Sequence, residues 1–356
     1  MNSPLEQELI FDIQHGVACI TLNRPSVLNA ISFSMVQKMH QCLLEWAIDD
    51  AVKVVVVRGA GDKAFCAGGD IRSLHDSVVN GDDVYRTFFA QEYALNEYIY
   101  SYPKPYIAFM DGIVMGGGMG ISQGAKYRVV TERTRLAMPE TGIGFIPDVG
   151  GSYFLSRCPG MMGSYLGLTG KSIQGEDAIF CDLADWMMSS QNINQLVLDL
   201  EAIHADAPIH QQIEALLRQQ GATNQVPNAS LKTIEATIQK VFASQNLQLI
   251  IQSLTQLESA SPAKWSAEAL TKLHKNSPVA MAVTLRMIEI GKSSSLSACF
   301  VNELTLVNQW MDRADFVEGI RALIIDKDHQ PHWRYTLNEV TDEKLMTLFP
   351  FLYNRE

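Results

Sequence analysis

The sequence predicts an α/β protein whose C-terminal half is helical. Three observations carry this. Short β-rich runs alternate with helical periods through the first half of the chain. Two glycine-rich loops each follow a buried strand run. Strand-like runs nearly vanish after about Ala205. Strand–strand–helix order, repeated, is the pattern of a layered α/β core.

The elements follow in order. "ELIFDI" and "VACITL" flank "QHG" and read as a hairpin. "NRPSVLNA" is a loop. From about Ser34 to Ala47 apolar residues recur at helical spacing. "KVVVVRGA" is a continuous apolar run with a glycine stop, as in a strand covered on both faces. A glycine-rich loop and a long helical segment near Tyr85–Tyr100 come next. "KPYIAFMDG" is another buried strand, with Pro105 at its start where a missing N–H is tolerated. The glycines after it open a helix, and "YRVVTE" returns as a strand. Beyond, "IHQQIEALLRQQG", "LKTIEATIQKVFAS" and "AKWSAEALTKLHKN" fit helices with Gly or Asn near their ends. "SPVAMAVTLRMIEIGK" and "SLSACFVNELTLVNQWM" fit two long amphipathic helices. The expected division is a core over residues 1–205 and a helical region over 206–356, with "RQQGATNQVPNAS" as an exposed link.

Composition bounds the function. The chain has 356 residues, 47% of them hydrophobic, so it can bury a large core. Its net charge of −11, from 28 basic and 39 acidic residues, argues against a nucleic-acid partner, which needs a basic face. The six cysteines are scattered with no CxxC pair, which points to reduced thiols. The N-terminus "MNSPLEQELIF" lacks a basic and an apolar targeting region. No uncharged apolar run nears membrane-spanning length. The expectation is a cytoplasmic protein with no membrane partner.

Several motifs fail. There is no GxSxG elbow and no GxxxxGK[ST] loop. "GAGDKA" matches a dinucleotide fingerprint at Gly59, Gly61 and Ala64, but "FCAGGD" prolongs the loop where a helix should begin. "HADAPIH" and "HQPH" lack cysteine or carboxylate partners at ligand spacing, so no metal is expected.

The two glycine loops are "AFCAGGD" (Ala64–Asp70) and "DGIVMGGGMG" (Asp111–Gly120). Unpaired N–H groups at helix starts can hold a developing oxyanion, and two of them converging on one carbonyl would make an oxyanion hole. Glycines there also serve plain tight packing. Next, "AMPETGIGFIPDVGG" places Glu140 and Asp148 among apolar residues, glycines and prolines. "PETG" fits an acid at a helix start and "PDVGG" fits a turn, so a bland reading exists for each. Glu92, on the helical segment, reads first as a solvated acid, the usual fate of a helical Glu.

"KAFCAGGDIRSL", "DGIVMGGGMGIS" and "MPETGIGFIPDVGGSYFLSR" resemble the three signature segments of the crotonase (enoyl-CoA hydratase/isomerase) superfamily. "FFAQEYALN", the spacing from MPET to PDVGG and "DFVEGIRALIIDKDHQPHW" resemble its 3-hydroxyisobutyryl-CoA hydrolase branch, over about residues 8–345. The resemblance implies a crotonase-like ββα spiral core with a helical C-terminal region. It implies an acyl-CoA substrate whose thioester oxygen is held by the N–H groups of Gly69 and Gly117. Glu140 and Asp148 would be catalytic, and Glu92 would contact the acyl portion. No cofactor beyond the substrate's own coenzyme A is implied, and no metal.

One departure matters. Hydratases of the superfamily carry a second glutamate three residues after the second oxyanion glycine. Here that position is Gly120. That argues against a hydratase, and the resemblance to the hydrolase branch implies hydrolysis of 3-hydroxyisobutyryl-CoA, or of a close short 3-hydroxyacyl-CoA, as in valine breakdown. An enoyl-CoA hydratase or isomerase is the first alternative. A non-catalytic CoA-binding or assembly protein is the second, since the long helices around Ser277–Met311 could form an interface in a homo-oligomer. Arg24, Lys63 and Arg72 could meet phosphates but fit ordinary surface cations as well.

Overall fold

The computed structural model describes residues 7–203 and 208–353. The expected 205/206 boundary and His204 of "HADAPIH" lie outside the described residues.

The strands are β1 (Leu9–Gln14), β2 (Val17–Leu22), β3 (Val54–Gly59), β4 (Ala64–Cys66), β5 (Tyr106–Met110), β6 (Ile113–Met115), β7 (Tyr127–Val130), β8 (Arg135–Ala137) and β9 (Trp186–Met187). Between them lie α1 (Phe33–Ile48), α2 (Ile71–Asn80), α3 (Val84–Tyr100), α4 (Gly117–Gln123), α5 (Gly151–Leu155), α6 (Met162–Thr169) and α7 (Gly175–Phe180). After β9 the described elements are helical: α8 (Ile193–Leu200), α9 (Ile209–Gln219), α10 (Glu235–Val241), α11 (Leu247–Ala260), α12 (Lys264–Lys275), α13 (Pro278–Ser293), α14 (Leu296–Arg313), α15 (Phe316–Ile320) and α16 (Asp342–Leu348), besides short 3-10 and π turns.

A six-stranded sheet runs β1-β2-β3-β5-β7-β9, and a three-stranded sheet runs β4-β6-β8. The β1/β2 hairpin is antiparallel, turning at His15 and Gly16, both at positive φ as a tight hairpin turn requires. From β2 onward the large sheet is parallel. The first strand of each pair (β3, β5, β7) joins the large sheet and the second (β4, β6, β8) the small one. This is the ββα spiral that the resemblance implied. The fingerprint at Gly59–Ala64 leads into strand β4 rather than a helix, so the dinucleotide reading has no structural basis.

The contacts group the described chain into two compact units, each assembled from several segments. The first comprises residues through Asp70, Ala94–Leu136 and Ile173–Ser230, and holds both sheets. Its core packs Val54, Val56, Ile107, Phe109 and Val129 of the sheet beneath Leu196, Leu200, Ile213 and Leu217 of α8 and α9. The valine run is buried throughout, as a parallel strand covered on both faces must be. The second unit comprises Ile71–Tyr93, Ala137–Ser172 and Leu231 onward, and is helical. Its centre is α13, capped by Ser277 with Pro278 at the first position. Gly291 of α13 lies so near α5 that a Cβ there would fall 1.9 Å from the Ser152 carbonyl oxygen.

Candidate functional site

In the first unit, β4 and β6 lie side by side and deliver the two glycine loops to one place. A Cβ on Gly68 would stand 3.5 Å from the Met115 oxygen and 3.8 Å from the Gly117 nitrogen, and Gly68 sits at φ +116°. A Cβ on Gly118 would stand 2.4 Å from the Cys66 oxygen. Glycine is thus required by its positive φ at Gly68 and by close approach at Gly118. Ile31 N–H donates to the Gly68 oxygen and Asp70 N–H donates to the Ile31 oxygen. Gly69, between them, keeps its N–H out of that ladder. Gly117 is the first residue of α4, where the N–H has no intrahelical acceptor. The loop before Gly69 is stapled by Asn29, a fully buried side chain that donates to Ala60 O (3.0 Å) and Ala64 O (2.8 Å) and accepts from Arg24 N–H (3.0 Å). Arg24 pairs with Asp70 at 3.0 Å and with Glu8 at 3.2 Å. Gly120 leaves α4 without a carboxylate at the position where the resemblance implied one for a hydratase.

In the second unit the acids gather. Glu92 on α3, Glu140 at the start of a 3-10 turn, Asp148 before α5 and Glu303 on α14 are all buried. Glu92 is not the solvated helix acid that its composition allows. Tyr93 donates from its hydroxyl to Asp148 Oδ2 at 2.5 Å. Burial pushes Asp148 up to about 7, against the Tyr93 hydrogen bond. Burial first, then the Asp148 charge, holds Glu140 and Glu92 well above the ordinary carboxylate range. Glu92 Oε1 and Glu140 Oε2 are buried and accept no hydrogen bond from the protein. Buried carboxylate oxygens left this way are costly unless something else meets them.

The loops carrying these acids are built to hold still. The Glu140 turn ends at Gly144, at φ +69°, where a Cβ would stand 2.4 Å from the Asp315 oxygen. Trp310 Nε1–H donates to the Gly144 oxygen at 2.9 Å. Asn276 donates to Thr141 Oγ1 at 3.0 Å and to the Leu168 oxygen at 2.9 Å. Tyr93, Asn29 and Glu303 were not among the residues expected from the sequence. Glu303 left a readable signal, because it shares the apolar stripe of Cys299, Phe300, Leu306, Val307 and Trp310 on α14.

Of the cations near the loops, Arg72 donates to the Ile324 oxygen and Arg24 is engaged as above. Among the described residues no helix is long and apolar enough to cross a membrane.

A family model described as enoyl-CoA hydratase/isomerase matches residues 17–349. A Gallus gallus protein named mitochondrial 3-hydroxyisobutyryl-CoA hydrolase is 38% identical over 353 residues, covering 98% of this chain and 90% of that protein. The Homo sapiens protein of the same name is 36% identical, covering 97% and 89%. Two solved structures align almost end to end. An enoyl-CoA hydratase from Rhodobacter sphaeroides has a TM-score of 0.86 at 36% identity, covering 96% of this chain and 97% of that one. A carnitinyl-CoA dehydratase from Mycobacterium thermoresistibile has a TM-score of 0.87 at 36% identity, covering 97% and 96%. The glycine loops, the spiral of paired strands and these matches agree: the chain belongs to the enoyl-CoA hydratase/isomerase family, in its 3-hydroxyisobutyryl-CoA hydrolase branch.

Proposed function

We propose that the chain hydrolyses the thioester of 3-hydroxyisobutyryl-CoA, or of a close short 3-hydroxyacyl-CoA, to the free acid and CoA, a step of valine breakdown. The observation that carries this reading is the pair Glu140 and Asp148, buried in one unit with raised proton affinity, while Gly120 denies the chain a hydratase's second glutamate.

In this reading the Gly69 and Gly117 amides stabilise the charge that develops on the thioester oxygen, a contribution of roughly 3–4 kcal/mol per donor in comparable sites. Glu140, once ionised, is a stronger base than an ordinary carboxylate because burial raises its proton affinity. It serves by one of two routes. It takes the proton of a water that adds to the carbonyl carbon, or it adds itself and forms an anhydride that water then opens. In both, the C–S bond breaks, the sulfur leaves as thiolate and gains a proton, and water supplies the acid's new oxygen. Asp148 orients the water or returns the proton to sulfur; near its midpoint at neutral pH it is competent in either form. Glu92 presents its unpartnered Oε1 to the 3-hydroxyl. Coenzyme A enters as part of the substrate and leaves as the free thiol, and the reading gives no role to a metal or redox group.

The cytoplasmic expectation stands beside relatives named as mitochondrial. No disulfide joins the cysteines, which suits either reducing compartment.

The test is an acyl-CoA panel followed by thiol release, set against loss of enoyl absorbance with crotonyl-CoA. Thiol release with 3-hydroxyisobutyryl-CoA and none of the crotonyl-CoA loss is the expected result. Hydration of crotonyl-CoA would favour the solved relatives' named chemistry instead. Binding without any turnover, unchanged by Glu140→Gln, would favour a carrier or assembly role.

A further inference from the structure

Among the described residues no lysine or arginine pairs with Glu303; burial raises its proton affinity, and three donors, which favour the ionised carboxylate, pull it back down. All three donors belong to the first turn of α5, whose N-cap is Gly150. The Gly150 N–H meets Oε2 at 2.7 Å, and the Ser152 N–H and O–H meet Oε1 at 2.9 and 2.5 Å. Asp148 leads into that turn. Between Asp148 and Gly150 stands Val149, buried, at φ +52°. A β-branched residue is an outlier there, because its branched side chain crowds the backbone in the left-handed region. Gly150 follows at φ +89°, and a Cβ on it would stand 3.2 Å from Phe300, one helical turn before Glu303. The strained turn is therefore gripped by α14, through Glu303 and Phe300, while the Asp148 side chain is fixed at its other end by Tyr93.

We propose that Glu303 is a positioning residue for Asp148: its carboxylate clamps the Gly150 and Ser152 amides, keeps Val149 left-handed, and so sets Asp148 against Tyr93. The functional part of this rests on the hydrolase reading above; the clamp itself does not. Released from Glu303, Val149 relaxes toward the ordinary φ range and the Asp148 carboxyl swings with it.

The experiment is a double-mutant cycle of Glu303→Gln and Val149→Gly, because glycine takes positive φ without strain. The amide of Glu303→Gln must turn its NH2 toward a donor, so one clamp bond is lost. In the natural turn Glu303→Gln is expected to lower kcat for CoA release about 30-fold with KM within about twofold. In the Val149→Gly background the same change is expected to cost only about threefold, because the turn no longer needs holding. Hydrogen exchange of segment 147–153, measured without turnover, should quicken in Glu303→Gln. Ser152→Ala, which removes one donor, should act in the same direction more weakly and serves if Glu303→Gln does not fold. A folded Glu303→Gln with natural kcat and exchange overturns the proposal, and so does a loss that Val149→Gly leaves unchanged. If the natural protein releases CoA from no acyl-CoA, the hydrolase reading fails alone, and the exchange comparison still decides the clamp.

Discussion

Tyr93 donates a 2.5 Å hydrogen bond to Oδ2 of Asp148, and both residues are buried. A donor to a carboxylate favours its ionised form, so this bond pulls Asp148 down while burial pushes it up to about 7. Tyr93→Phe removes the pull. The Asp148 midpoint should move upward, seen as a shift of the matching limb in the pH profile of kcat. At pH 7 kcat should fall about tenfold, the usual loss for a hydrogen bond to a charged group. An unmoved limb would sever Asp148 from the rate.

The raised acids also make stability depend on pH. Asp148 has an ordinary value of 3.8 and a folded value of about 7. Between those, the folded state keeps a proton that the unfolded chain has released. Stability therefore falls as pH rises through this window and levels off above it. Asp148→Asn has no charge to bury. It should be more stable than the natural protein at pH 8, by up to about 4 kcal/mol, with the gap closing toward pH 4. Denaturant midpoints at both pH values check it.

The sequence made much of this legible, for local reasons. The valine run, the hairpin and the glycine loops are short-range patterns, and each became the expected element. The two acids of "MPETGIGFIPDVGG" are both buried, and the Asp148 charge reaches Glu140, where the sequence left a helix-start and a turn reading open. What was not legible is long-range. Glu303 lies some 150 positions after the turn it grips, so nothing local tells a helical acid on an apolar stripe what it will meet. The residues around Glu92 favour a solvated acid, because only tertiary packing buries that face of α3. Asn29 looked like a loop residue because its partners lie on another strand pair.

Glu92 supplies a specificity prediction. Its Oε1 is buried without a protein partner, and the reading assigns it to the 3-hydroxyl. Glu92→Gln should then lower kcat/KM for 3-hydroxyisobutyryl-CoA by about 10–100-fold, while isobutyryl-CoA, lacking the hydroxyl, changes about twofold or less. The ratio of the two, measured on one preparation, is the readout. Equal losses on both substrates would assign Glu92 to the chemistry common to them.

Glu140→Gln tests the centre of the reading. A glutamine keeps the shape but can neither take a proton nor add to a thioester. Loss of a positioned acid–base group costs roughly 10²–10⁴ in kcat. Thiol release should fall by that factor while an unreacted acyl-CoA still binds, followed by calorimetry. The variant should also gain stability above neutral pH, because Glu140 is buried with its proton affinity raised. Activity that survives in the folded variant would remove Glu140 from the mechanism.

Asn29 gives the last prediction, on the oxyanion side. Its Nδ2 bonds two carbonyls, Ala60 O and Ala64 O, and its Oδ1 takes the Arg24 amide. It also stands at φ +57°, where asparagine is tolerated better than most residues. Alanine at this position would leave three backbone groups unmet, the Ala64 oxygen buried and the Ala60 oxygen and Arg24 N–H part-buried, and a backbone angle it dislikes. The expected destabilisation is about 2–4 kcal/mol, read from denaturant unfolding. The carbonyls released lie before β4 and at its first residue, and β4 leads through Ala67 and Gly68 to Gly69. The Gly69 amide should therefore lose its fixed direction, and the loss should fall on kcat, where the oxyanion develops, rather than on KM. Asn29→Asp keeps the acceptor for Arg24 and loses the two donors, so it isolates the Ala60 and Ala64 bonds. If Asn29→Asp keeps full kcat in a folded protein, the staple is structural and the Gly69 amide is fixed by other contacts.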